Sequence, residues 1–197
     1  MNEKLQHIFK SNHGVLRTAD LNAAGCYYSN IQEMLNNNEI EQIRRGYYRI
    51  VDSDIYSDIP VLKALFPDAV ICLESALFQY GYIDRTPSAW HLAVKDTSAR
   101  ARFKIDYIEV KPHFVTLSRF NIGIAIMQID GFDIQVYDKD RTICDVLSHK
   151  NKLDAETFSQ ACQSYVKDKR HNIPTLVKYS KILHVENKVK EVLGPWL

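Results

Sequence analysis

Arg44 and Arg45, followed by Gly46, stand at the turn between two short apolar-polar alternations. Guanidinium groups on such a projecting turn suit phosphate oxygens. Just upstream, YSNIQEMLNNN puts Ile31, Met34 and Leu35 on one helical face and Asn30, Gln32, Glu33, Asn36 and Asn37 elsewhere. Amides and carboxylates of this kind bond base edges in a major groove. The chemistry implied is recognition of double-stranded DNA. Its candidate contacts are Thr18, Tyr28, Ser29, Asn30, Gln32, Glu33, Asn36, Arg44, Arg45 and Arg49.

The flanking sequence supplies elements to hold these residues. Ser29 has N-cap chemistry and Gln32 can complete a capping box. Tyr48 and Ile50 share one face of the ribbon, and Gly46 can take the positive φ that its tip requires. Leu5, Ile8 and Phe9 predict an amphipathic helix over residues 3–12. Thr18 caps a second short helix, TADLNAA, which Gly25 ends. Helix, turn, helix and ribbon predict a winged helix-turn-helix over residues 1–51. The acidic stretch 52–59 reads as a linker. Residues 60–197 read as an α+β domain with a small, mostly antiparallel sheet and a helical C-terminal part. Its expected parts are a helix opened by Pro60, one buried helix over 69–82, and strands over 89–94, 103–110, 114–117, 124–129 and 132–137. Helices follow in RTICDVLSH, over 153–166 and from Pro174 onward.

Composition limits the alternatives. A hydrophobic fraction of 46% with 25% charged residues describes a folded soluble chain. No apolar run reaches the roughly 20 residues of a membrane span, and MNEKLQHIFK lacks a signal-peptide core. Cys26, Cys72, Cys144 and Cys162 show no CxxC pairing and read as reduced core thiols of a cytoplasmic protein. The net charge of +1 leaves any DNA contact to local clusters, at the ribbon and in the lysine-rich stretch 165–197.

Three other chemistries can be weighed. Asp96, Glu109 and Lys111 could form the metal-binding set of a nuclease, although an alternating strand produces E-x-K readily by chance. His91, His113, His149, His171 and His184 lack the spacing of a zinc site. No P-loop, GxGxxG or GxSxG occurs. The chain therefore reads as a non-enzyme with no metal site and no cofactor. A dense polar cluster at Tyr137–Asp145 remains, where Asp140 is placed to cap a helix and Arg141 to pair with Asp138 or Asp145.

The order of parts resembles the AbiEi antitoxins, the abortive-infection family of type IV toxin–antitoxin systems. The resemblance is carried by Asp20-Leu21-Asn22-Ala23-Ala24-Gly25, by Gly46-Tyr47-Tyr48, by Glu74-Ser75-Ala76-Leu77 and by Asp140-Arg141-Thr142-Ile143-Cys144-Asp145. It implies a repressor of its own operon that also counteracts a nucleotidyltransferase toxin, with no stable complex between the two required. It further implies that the C-terminal region carries the antitoxin role, with Asp140, Arg141, Thr142 and Asp145 as candidate residues. The alternative is a winged-helix regulator whose C-terminal domain senses a ligand or dimerises.

Overall fold

A computed structural model describes residues 1–51 and 57–196, so part of the expected linker, 52–56, lies outside the described residues. The chain divides into two compact units. The first comprises residues 1–67 with 104–108 and 129–132; the second comprises 68–103, 109–128 and 133–197.

The first unit begins with helix α1 (Glu3–Ser11), strand β1 (Val15–Arg17) and helices α2 (Thr18–Ala23) and α3 (Tyr28–Asn36). Strands β2 (Ile40–Arg44) and β3 (Tyr47–Ile50) follow, and β3 lies between β1 and β2 in an antiparallel sheet. Leu5, Phe9, Leu16, Leu21, Ile31, Met34, Ile40, Tyr48 and Ile50 form its core. Burial of these side chains offsets much of the entropy lost on ordering the chain. Helix α4 (Ile59–Leu65), with Pro60 in its first turn, belongs to this unit as well.

Two caps differ from expectation. Helix α3 starts two residues early: Tyr27 is the capping position, and its N–H donates to Asn30 Oδ1 at 3.2 Å. Ser29 is therefore inside the helix. Likewise Thr18 is the first helical residue of α2, and the backbone N–H of Arg17 donates to Asp20 Oδ2 at 2.9 Å. In both cases the residue three places on supplies the carboxamide or carboxylate oxygen that satisfies an orphan donor.

The second unit contains strand β4 (Val70–Ile71), helix α5 (Leu73–Gln79) and strands β5 (Trp90–Lys95) and β6 (Val110–Val115). After α6 (Leu117–Phe120) come β7 (Ile124–Ile129) and β8 (Phe132–Tyr137); their turn, residues 129–132, is counted with the first unit, and Asp130 and Gly131 in it both have positive φ. Helices α7 (Lys139–Ser148), α8 (Ala155–Lys167), α9 (Ile173–Ile182) and α10 (Glu186–Val192) complete it. The α+β class holds. The sheet, however, is mixed: its order is β6-β5-β4-β8-β7, with β5–β6 and β4–β8 parallel. Parallel neighbours need a crossover of a dozen or so residues, and the stretch between β5 and β6 is long enough to provide one.

The continuous helix expected over 69–82 is broken. Cys72 is extended and Leu73 has φ 45°, so Val70 and Ile71 pair as a strand before α5 begins. The expected strand over 103–110 does not form: a 3-10 turn occupies Arg100–Phe103, β6 begins only at Val110, and it takes in Phe114 and Val115 of the 114–117 candidate before α6 starts at Leu117. Pro112 lies within β6, which is acceptable because β6 is an edge strand. Leu77, Tyr137, Ile143, Leu147, Tyr165, Leu176 and Leu193 are among the buried residues of this unit's core.

Candidate nucleic-acid interface

Helix α3 buries Ile31 and Met34. At 100° per residue, Ser29, Glu33 and Asn36 then fall on the opposite side, and all three are exposed. Tyr28, at the start of the helix, is 76% exposed. Gln32 is half-buried on one flank. Asn30 is exposed on the other, but its carbonyl oxygen is engaged by the cap of its own helix. The sequence-predicted polar face therefore narrows to a stripe of three side chains with Tyr28 at its head.

The β2–β3 hairpin turns at Arg45 and Gly46, and Gly46 has φ 83°. Its carbonyl accepts from the backbone N–H of Thr18 at 2.9 Å. Thr18 thus fixes the hairpin tip against α2 rather than offering only a free hydroxyl. Arg45 is exposed; Arg44 is half-buried, with its guanidinium 5.7 Å from the centre of the Tyr47 ring.

Arg49 has another environment. It is only 8% exposed, its Nη1 donates to Tyr107 Oη at 3.1 Å, and its Nη2 donates to the Ser57 carbonyl at 3.3 Å. Tyr107 in turn donates to Glu41, which faces Arg49 across the β2–β3 ladder. Arg49 is a structural cation, removed from any phosphate contact on this surface.

The second candidate cluster is also enclosed. Asp138, not Asp140, caps α7: its Oδ1 accepts from the Arg141 N–H at 2.7 Å and its Oδ2 from Tyr179 Oη at 3.0 Å. Asp140 is buried and accepts from Tyr165 Oη at 2.7 Å and the Asn172 N–H at 3.1 Å. Arg141, 2% exposed, donates to Asp145 Oδ2 at 3.0 Å and to the carbonyls of Arg119 at 2.6 Å and Ile122 at 3.1 Å. Its guanidinium also lies 4.2 Å from the Tyr137 ring centre. Thr142 donates to the Tyr137 carbonyl at 3.0 Å. Burial holds the Asp138 and Asp145 carboxyls above their usual range, against the opposing pull of their Arg141 contacts. Asp138, Asp140, Arg141 and Thr142 join α7 to its neighbours, and the Asp145 carboxylate pairs with Arg141 within the helix.

A chain of imidazoles crosses the same unit. His91 Nε2 lies 2.6 Å from Glu74 Oε2, and His91 Nδ1 lies 3.2 Å from His113 Nε2, with the two rings inclined by only 27°. The carboxylate accepts from Nε2–H, which leaves Nδ1 of a neutral His91 to accept from His113. His149 lies edge-on to His113, and its Nδ1 is 2.9 Å from the Asp145 carbonyl. Burial, helped by His91, His149, Lys111 and Lys152, pushes His113 down to about 3. Burial, with Lys111 and His149, also lowers His91, but the adjacent Glu74 carboxylate favours its charged form. Both imidazoles are held below the ordinary histidine value, His113 the further, so both make the fold sensitive to acid. Sequence spacing could not reveal this cluster, because its members come from α5, β5, β6 and the end of α7.

The nuclease triplet is not assembled. Register pairs Trp90 with Val110 and Lys95 with Val115, and Asp96 follows Lys95 whereas Glu109 precedes Val110. The two carboxylates lie at opposite ends of the strand pair, about 20 Å apart at 3.3 Å per residue. Cys144 is buried and its thiol is pushed up, chiefly by burial, in keeping with a core thiol. Among the described residues no group of three or more His, Cys, Asp or Glu could hold a metal ion. No described helix is long and apolar enough to cross a membrane.

Together these features define an α+β protein whose first unit displays a polar helix beside an arginine-tipped hairpin. Residues 3–51, which contain both, match the family model described as "Transcriptional regulator, AbiEi antitoxin". The match is confined to this N-terminal region, which is similar to the AbiEi antitoxin family of transcriptional regulators. No curated protein matches the chain. Its fold is similar to the crystal structure of the RV2827C protein from Mycobacterium tuberculosis, with a TM-score of 0.67 at 13% identity. That match covers 97% of this chain and 80% of the other, and at such low identity it speaks to the fold alone.

Proposed function

We propose that the chain is an autoregulatory antitoxin of a type IV toxin–antitoxin system. In this reading the first unit is a winged helix-turn-helix that binds the operator of its own operon. Helix α3 enters the major groove and the β2–β3 hairpin is the wing, placing Arg44 and Arg45 against phosphates. The observation that carries the reading is the exposed Ser29–Glu33–Asn36 stripe beside that hairpin, within the segment that matches the family. The chain further counteracts a nucleotidyltransferase toxin encoded beside it, and no stable complex between the two is required. Asp140, Arg141, Thr142 and Asp145 support that role by holding the second unit together rather than by touching a partner.

The test is co-expression with the neighbouring gene, scored by growth, together with retardation of a duplex spanning the operon's own promoter. Growth rescue with promoter retardation is the expected pair of results. Retardation without rescue would favour a ligand-sensing regulator instead. That second reading draws on an apolar cavity of about 560 Å³ in the second unit, lined by Phe158, Cys162, Val166, Val192 and Trp196 among others. Absence of both effects would remove the proposal.

A further inference from the structure

Helix α3 contains no lysine or arginine; its only charged residue is Glu33. A carboxylate in the middle of a DNA-facing helix repels phosphate, so its presence requires a compensating contact or a structural duty. A structural duty finds no support. Glu33 is exposed, and among the described residues no hydrogen bond or ion pair holds its side chain. Its neighbours at i±3 and i±4 are Ser29, Asn30, Asn36 and Asn37, none of them cationic. Nor does it act on the first turn, where an acid would favour the helix dipole, because it lies in the middle of the helix.

The base-edge code supplies the contact. A carboxylate accepts from the cytosine N4 amine, an asparagine amide pairs with adenine N6 and N7, and guanine is read by arginine or lysine. Glu33 and Asn36 share the outward stripe with Ser29, one turn apart, and the helix has no arginine or lysine for the usual contact to guanine O6 and N7. The Asn30 carbonyl oxygen already accepts from the Tyr27 N–H, which leaves Asn36 the freer amide for a two-point adenine contact. We propose that α3 reads its operator half-site through cytosine at Glu33 and adenine at Asn36, with Glu33 lowering affinity for every other sequence. This rests on the DNA-binding reading above and adds which bases are chosen and which residues choose them. Glu33 is thereby a specificity-determining residue whose removal moves affinity and discrimination in opposite directions.

The experiment uses the full chain and a pool of double-stranded oligonucleotides with a randomised centre, enriched by binding and sequenced. Wild type, Glu33→Gln and Asn36→Ala are compared, and thermal melting confirms that each variant is folded. Wild type should enrich sites holding a cytosine and a nearby adenine, with discrimination of roughly fivefold or more at each position. Glu33→Gln should lose the cytosine preference while binding random duplex more tightly. Asn36→Ala should lose the adenine preference alone. Enriched sites that are the same for wild type and Glu33→Gln, or random-duplex affinity that falls in Glu33→Gln, would overturn the inference and leave DNA binding standing. No retention of any duplex by wild type, even at low salt, would instead overturn the DNA-binding reading itself.

Discussion

The first unit leaves Ser29, Glu33, Asn36 and Arg45 facing solvent, whereas the second encloses Asp138, Asp140, Arg141 and Asp145 among one another. Both sets combine acids with arginine, and both sit on short helices or next to them. Partners separate them. Each carboxylate of the enclosed set meets a tyrosine, a backbone N–H or Arg141, so its polar groups are consumed within the fold. On the exposed stripe, helix geometry has already satisfied the backbone and the side chains remain available. A polar cluster that is fully satisfied by its own chain maintains structure; one left outward can recognise something else.

Arg141 offers the largest effect by which this contrast can be broken. Arg141→Ala would leave Asp145 buried without its cation and two carbonyls without their donor. The expected loss is about 3–5 kcal/mol of stability, as for other broken buried pairs. Urea denaturation of the full chain measures it. Gly123→Ala should shift the same curve in the same direction, since Gly123 has φ 73° and a Cβ there would lie 2.5 Å from Arg141 Cβ. Ser29→Ala and Asn36→Ala should stay within about 0.5 kcal/mol of wild type, as surface substitutions do. Comparable losses at Asn36 and Arg141 would mean that the two polar sets are not different in kind.

A smaller effect comes from the imidazole chain. His113 is held at about 3 in the folded protein against an ordinary 6.5, so the unfolded chain binds the proton first. Its contribution is therefore complete above about pH 6.5 and is lost as the pH falls toward the folded value. The midpoint of thermal unfolding should fall between pH 7 and pH 5, by several degrees. His113→Asn should show a shallower decline over the same interval. An identical slope in the variant would place the acid sensitivity elsewhere.

Much of the first unit was legible in the sequence because its determinants are local. The Ile31–Met34–Leu35 periodicity, the Gly46 turn and the alternation at Tyr48 and Ile50 each act within a few residues. The caps expected at Ser29 and Thr18 are displaced by two residues and by one, because several adjacent polar residues can serve the same orphan donors. In the second unit, Val70 and Ile71 look helical beside Leu73, Ala76 and Leu77. Only pairing with Ala93, Leu92 and the distant Val136 makes them a strand. Arg49 and Arg45 also look alike in sequence. Their difference depends on Tyr107, 58 residues beyond Arg49, and no local pattern encodes it. The Glu74–His91–His113 chain was hidden for the same reason.

Whether the hairpin arginines meet phosphate is tested most directly by a salt titration of duplex binding. The full chain and its Arg44→Ala plus Arg45→Ala variant would be titrated with a promoter duplex across a range of ionic strength. Log affinity should fall linearly with log salt for both proteins. The variant should bind more weakly to promoter and random duplex alike, with a slope shallower by about 1 for each phosphate that an arginine no longer neutralises. Superimposable lines for the two proteins would contradict the assignment of this hairpin as the DNA-contacting wing.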